Sequence, residues 1–108
     1  MYHSFPRLCC SFAERPSKVG VAYHNAAYQA LGLDYTYVAF AVQDVPAAVQ
    51  SLRILGIRGC GVTMPHKLTV LPHLDRLDPH AAAIKAVNTI VNDDGILTGY
   101  NADWIGAT

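Results

Sequence analysis

At 108 residues the chain has room for one domain with a modest buried core, and with 52% hydrophobic and 15% charged residues it is excluded from the disordered class. Eight basic and eight acidic residues, scattered and summing to zero formal charge, exclude an electrostatic binder of nucleic acid or of an anionic membrane surface. Three cysteines, no apolar run of membrane-spanning length and no charged, then apolar, N-terminal leader predict a soluble cytoplasmic protein with reduced thiols.

Leu8 to Phe12 reads as a first strand, continuously apolar as a buried parallel strand is, with Cys9 and Cys10 on opposite faces. A loop through Arg15-Pro16-Ser17-Lys18-Val19-Gly20 leads to a helix around Val21 to Leu31, closed by Gly32 as a left-handed cap. Tyr35 to Ala41 is a second strand. Asp44 is a good N-cap for a second helix with Pro46 in its first turn, Val45, Val49, Leu52 and Leu55 on one face, and Gly56 closing it. Cys60 to Thr63 forms a third strand, and helical turns from Pro65 break at Pro72. Asp78-Pro79 opens a further helix through Ile84 toward Val87. Thr89-Ile90-Val91, a polar turn over 92–95 and Ile96-Leu97-Thr98 form a β-hairpin, followed after Asp103 by the start of another helix. The expected fold is α/β: a mostly parallel sheet with right-handed crossovers and helices on both faces, plus a C-terminal β-hairpin.

Gly59-Cys60-Gly61-Val62-Thr63-Met64-Pro65-His66-Lys67 is the most informative stretch. It sets Lys67 in the first turn of a helix after a buried strand, where amide dipoles disfavour a cation and push its pKa down, toward proton transfer. A phosphate-binding loop is rejected: Met64 replaces the third glycine of G-x-G-x-x-G, and no Gly-Lys-Ser/Thr follows. Pro65-His66, Pro72-His73 and Pro79-His80 recur every seven residues, but prolines interrupt any common helix and no ligand set is completed, so no metal is expected. If the sheet is parallel, Ser17, Thr63, Lys67, Asn88 and Asp103 gather at its carboxyl end, the hairpin setting Asn88 opposite Gly99 or Tyr100. Hydroxyls, amides, a lysine and an aspartate are what a neutral polyol needs for binding and proton exchange. The bland reading is a solvated surface lysine beside a capping threonine.

Gly61-Val62-Thr63-Met64-Pro65-His66-Lys67, Ala86-Val87-Asn88-Thr89 and Gly99-Tyr100-Asn101-Ala102-Asp103 resemble, in order and spacing, three motifs of the shikimate dehydrogenase substrate-binding domain. The resemblance implies that Lys67 and Asp103 are the catalytic pair at the hydroxyl being oxidised. It implies too that Thr63 and Asn88 bond substrate hydroxyls, with Ser17 near the carboxylate. The chain departs from the family at a single serine in Arg15–Gly20, which resembles the shikimate dehydrogenase-like branch. Ala102 stands for a usual threonine and Gly61 for a usual asparagine.

Family members continue into an NADP-binding domain, so residues 1–108 are expected to be one substrate-binding domain with the NADP-binding domain absent and no turnover alone. The ligand expected is shikimate, 3-dehydroshikimate or quinate, in aromatic amino-acid biosynthesis. A ligand-sensing or interaction module that keeps the pocket without catalysis is the alternative from another class. Sheet edges and apolar surface left by the missing domain predict self-association.

Overall fold

The computed structural model describes residues 7–16, 18–63 and 65–101. Six strands form one mixed sheet in the order β2-β1-β3-β5-β6-β4, built from β1 (Arg7–Ala13), β2 (Tyr35–Ala41), β3 (Gly59–Val62), β4 (Arg76–Leu77), β5 (Thr89–Asp93) and β6 (Ile96–Tyr100). Among the described residues four helices connect them: α1 (Lys18–Ala30), α2 (Val45–Leu55), α3 (His66–Thr69) and α4 (Pro79–Ile84), with a 3-10 turn at Leu71–His73. None of the described helices is long and apolar enough to cross a membrane.

The parallel expectation holds for the first three strands, where β1 pairs in parallel with both β2 and β3. β5 then runs antiparallel to both neighbours, because the Asp94-Gly95 turn folds β6 straight back along it. Both turn residues have positive φ, 52° and 93°, the twist that suits a two-residue hairpin. The strand β4 was not legible, since two residues carry no alternation; it exists because Leu97 and Gly99 carbonyls accept from the Asp75 and Asp78 amides on either side. α1 starts three residues before the expected Val21, and Gly32 and Gly56 both take the left-handed conformation that was read for them.

Strand alternation sorts the faces. Cys10, Phe12, Cys60 and Val62 turn to the side covered by α2, whose Val49 and Leu52 are fully buried against them. Cys9, Ser11 and Tyr37 turn to the side of α1, where His24 stacks on Tyr37 at 4.1 Å and 9°. Asp44 caps α2 by accepting from the Ala47 amide at 3.1 Å. All three cysteines are free thiols, as expected.

Three polar or steric pins hold the hairpin against the rest. Buried Asn92 donates to the Leu52 and Ile57 carbonyls at 2.8 and 3.0 Å and accepts from the Gly95 amide at 2.8 Å. Asp75 accepts from the Leu97 amide at 2.8 Å and from Arg53 at 2.9 Å. Gly99 lies in β6 where a Cβ would sit 2.6 Å from Leu74 Cδ1 and 2.7 Å from Val87 Cγ2.

Gly99→Ala therefore overpacks a closed contact and should lower stability by about 1–3 kcal/mol in urea unfolding. The Leu97 amide and then Arg53 hold the Asp75 carboxyl below its usual range. A depressed folded-state pKa stabilises above the unfolded value and is lost as pH falls through the folded one. Stability should accordingly drop below about pH 4, and Asp75→Asn should flatten that acid limb in thermal melts recorded across pH.

Candidate functional site

The last residues of β3 and β6 and the first of β5 meet at one end of the sheet, because β5 runs against the other two. Thr63 follows β3 directly, its amide donating to the Phe12 carbonyl at 3.1 Å and extending the β1 ladder by one rung. The Thr63 carbonyl accepts from the His66 amide at 2.9 Å, which closes the turn into α3. Lys67 is half-buried, and its carbonyl accepts from the Val87 amide at 3.1 Å. One residue on, Asn88 bridges both strands: its carbonyl accepts from the Val62 amide at 2.8 Å and its amide donates to the Tyr100 carbonyl at 3.0 Å.

Three of the five expected residues, Thr63, Lys67 and Asn88, are thus brought to one place by main-chain bonds. Ser17 and Asp103 lie outside the described residues. The hairpin register is one or two residues further along than expected: Thr89 faces Tyr100, so Asn88 comes level with Asn101, not with Gly99 or Tyr100. α3 is only four residues long, too short for the summed dipole that the sequence argument placed on Lys67. Backbone docking onto Val87 is what fixes this lysine.

The chemistry of each group follows from its partners. Thr63 Oγ1 donates to the Phe12 carbonyl at 3.3 Å, so toward a ligand it offers lone pairs and accepts. Thr89 Oγ1 donates to Asn88 Oδ1 at 3.0 Å, which orients the Asn88 amide. An accepting hydroxyl, an oriented amide and a lysine are the kinds of group that can bond neighbouring hydroxyls and exchange a proton.

The raised pKa values lie in the body of the sheet and on α1. Burial, then a bond with Cys9, pushes the Tyr28 phenol up to about 12. Burial raises Tyr37, and burial with the Cys10 thiol alongside raises Cys60 well above the usual thiol range. Gly59 and Gly61 are strand residues, with their Cβ directions toward Cys9 Sγ and toward Ser11 and the Tyr37 hydroxyl. They make no phosphate-cradling turn and do not fit a dinucleotide. Among the described residues no group of three or more His, Cys, Asp or Glu is placed to hold a metal ion.

Two residues of this end stand in the third motif but were given no role by sequence reasoning. Asn101 is 7% exposed and donates to the Ala86 carbonyl at 3.2 Å, tying the end of β6 to the segment that carries Asn88. Gly99 admits Val87 and Leu74 against β6, as described above. A buried asparagine just past an alternating strand was the available signal for the first; the second depends on side chains distant in sequence.

Residues 17–90 match the family model described as the shikimate dehydrogenase substrate binding domain. The chain is 50% identical over 105 residues to a shikimate dehydrogenase-like protein of Haemophilus influenzae, covering 97% of this chain and 39% of that protein. It is 53% identical over 85 residues to the shikimate dehydrogenase (NADP(+)) of Citrifermentans bemidjiense, covering 77% of this chain and 29% of the relative. A solved shikimate 5-dehydrogenase of Listeria monocytogenes, in complex with shikimate and NAD, superposes with a TM-score of 0.87 at 39% identity, over 96% of this chain and 37% of that one. The chain therefore spans well under half the length of these relatives.

Asn101→Ala leaves the Ala86 carbonyl without this donor and should cost about 1–3 kcal/mol in urea unfolding. The amide resonances of Val87 and Asn88 should shift with it, while those of β2 stay in place.

Proposed function

Because the chain belongs to the shikimate dehydrogenase substrate-binding domain family, we propose that it is the substrate half of a cytoplasmic, NADP-dependent shikimate 3-dehydrogenase. The reaction is reduction of 3-dehydroshikimate to shikimate, in aromatic amino-acid biosynthesis, with quinate as a related ligand. The observation that supports this reading is the pair of main-chain bonds by which Asn88 joins the ends of β3 and β6, beside the bond from the Val87 amide to the Lys67 carbonyl, so that the backbones of Thr63, Lys67 and Asn88 are neighbours.

In this reading Thr63 accepts from one ring hydroxyl, and the Asn88 amide, oriented by Thr89, bonds the next. Lys67, paired with Asp103, gives the proton to the oxygen formed on reduction and takes it back on oxidation. Ser17 bonds the ring carboxylate. The nicotinamide supplies hydride chemistry when bound. Gly59 and Gly61 sit in a strand and do not fit its diphosphate, so the cofactor belongs to a second domain outside residues 1–108. The chain alone binds the ring acid and does not turn over.

Titration of the isolated chain with shikimate and with quinate, followed by amide NMR, should move Thr63, Lys67 and Asn88 and leave β2 unmoved. Unchanged spectra at millimolar ligand refute the reading. In a polypeptide that also carries the NADP-binding half, Lys67→Met should lower kcat by two or more orders of magnitude, with a smaller change in substrate affinity. Binding without turnover in that longer polypeptide would instead establish a ligand-sensing module.

A further inference from the structure

α1 lies antiparallel along β2, and contacts at three levels show its alignment. The Tyr28 and Tyr35 rings meet at 5.5 Å, Asn25 bonds Tyr37 two residues further along the strand, and Lys18, Val21 and Ala22 face Ala39 across a cavity of about 380 Å³. The first turn of α1 therefore stands near the carboxyl end of β2. The Val42 amide donates to the Ala13 carbonyl and the Thr63 amide to the Phe12 carbonyl, so Thr63 leaves β3 at this same end.

None of the thirteen residues of α1 is buried. Apolar packing is what usually holds a helix in place on a sheet, and a helix with little of it needs another restraint against sliding. Asn25 supplies one. Its side-chain amide accepts from the Tyr37 amide at 2.7 Å and donates to the Tyr37 carbonyl at 2.9 Å, while His24 stacks on the ring of the same residue at 4.1 Å. Both bonds are directional and end on one residue, so a slide of α1 along β2 breaks them together. At about 1.5 Å per residue Lys18 lies about 10 Å along the helix axis from Asn25, so the clamp decides where the first turn sits.

We infer that Asn25 is a positioning residue for ligand binding: its clamp on Tyr37 holds the first turn of α1 at the end of the sheet where Thr63 lies, and with it the segment that receives the carboxylate of a ring acid. This rests on the proposed function, in which Ser17, directly before that turn, bonds the carboxylate. The Lys18 ammonium in the same turn favours an anion there. Thr63, Lys67 and Asn88, which serve the ring hydroxyls, are tied to one another by the main chains of β3, β5 and β6 and do not depend on α1. A displaced α1 thus weakens the hold on the carboxylate and spares the hold on the hydroxyls.

The test titrates the 108-residue chain with shikimate and with its methyl ester, followed by the amide resonances of Thr63 and Asn88, in wild type, Asn25→Ala and Asn25→Ser. Serine keeps a polar group too short for the pair of bonds. Wild type should hold the acid more tightly than the ester. Asn25→Ala should lose shikimate about tenfold, the scale of one hydrogen bond to a charged group, with ester affinity within about twofold of wild type and a faster-exchanging Tyr37 amide. Asn25→Ser should lose the acid selectively as well, and it decides the matter where Asn25→Ala does not fold. Unchanged acid affinity in the folded variants overturns the inference, and so does an equal loss of acid and ester, which would make Asn25 a general support of the domain. Failure of both variants to fold overturns it for the same reason. A wild type that binds neither ligand refutes the functional reading and this inference with it, whereas a wild type that binds both, indifferent to Asn25, overturns this inference alone.

Discussion

The arrangement depends on one strand direction. β5 runs against β3 and β6, so its first residue meets their last ones, and the two main-chain bonds of Asn88 hold that meeting in place. Were β5 parallel, Asn88 would lie at the far end of the sheet from Thr63. Everything nearby serves this reversal: Asp94-Gly95 makes the turn, Asn92 locks the turn to α2, and Gly99 lets Val87 lie against β6.

Much of the frame was written locally. Asp44, Pro46 and Gly56 mark both ends of α2 because capping is decided within a few residues, and the two alternating runs around Asp94-Gly95 identify the hairpin for the same reason. What escaped is non-local. β4 is a strand only through Leu97 and Gly99, the register of Asn88 was one or two residues out, and the role of Gly99 is set by Leu74 and Val87.

The candidate site shows the same division. Of the five residues placed together from the order of strands and helices, Thr63, Lys67 and Asn88 have neighbouring main chains, and Ser17 and Asp103 lie outside the described residues. The electrostatic reason offered for Lys67 fares less well, because a run of Pro-His-Lys followed by Pro72 sustains only four helical residues. Its place is fixed instead by the Val87 amide, a contact across twenty residues of sequence that no local pattern announces. The hydroxyl of Thr63, read from sequence as able to bond a ligand, already donates inward to the Phe12 carbonyl, which leaves its lone pairs to accept.

The reversed direction of β5 also bears on how the chain folds. The β5–β6 hairpin can form early from neighbouring residues, whereas its docking onto β3 joins segments about thirty residues apart and waits on a larger loop closure. Thr63 and Asn88 acquire their mutual geometry only at that late step. A chain whose hairpin is undocked holds Thr63 and Asn88 apart, so any ligand that needs both draws the whole sheet toward its native state by mass action.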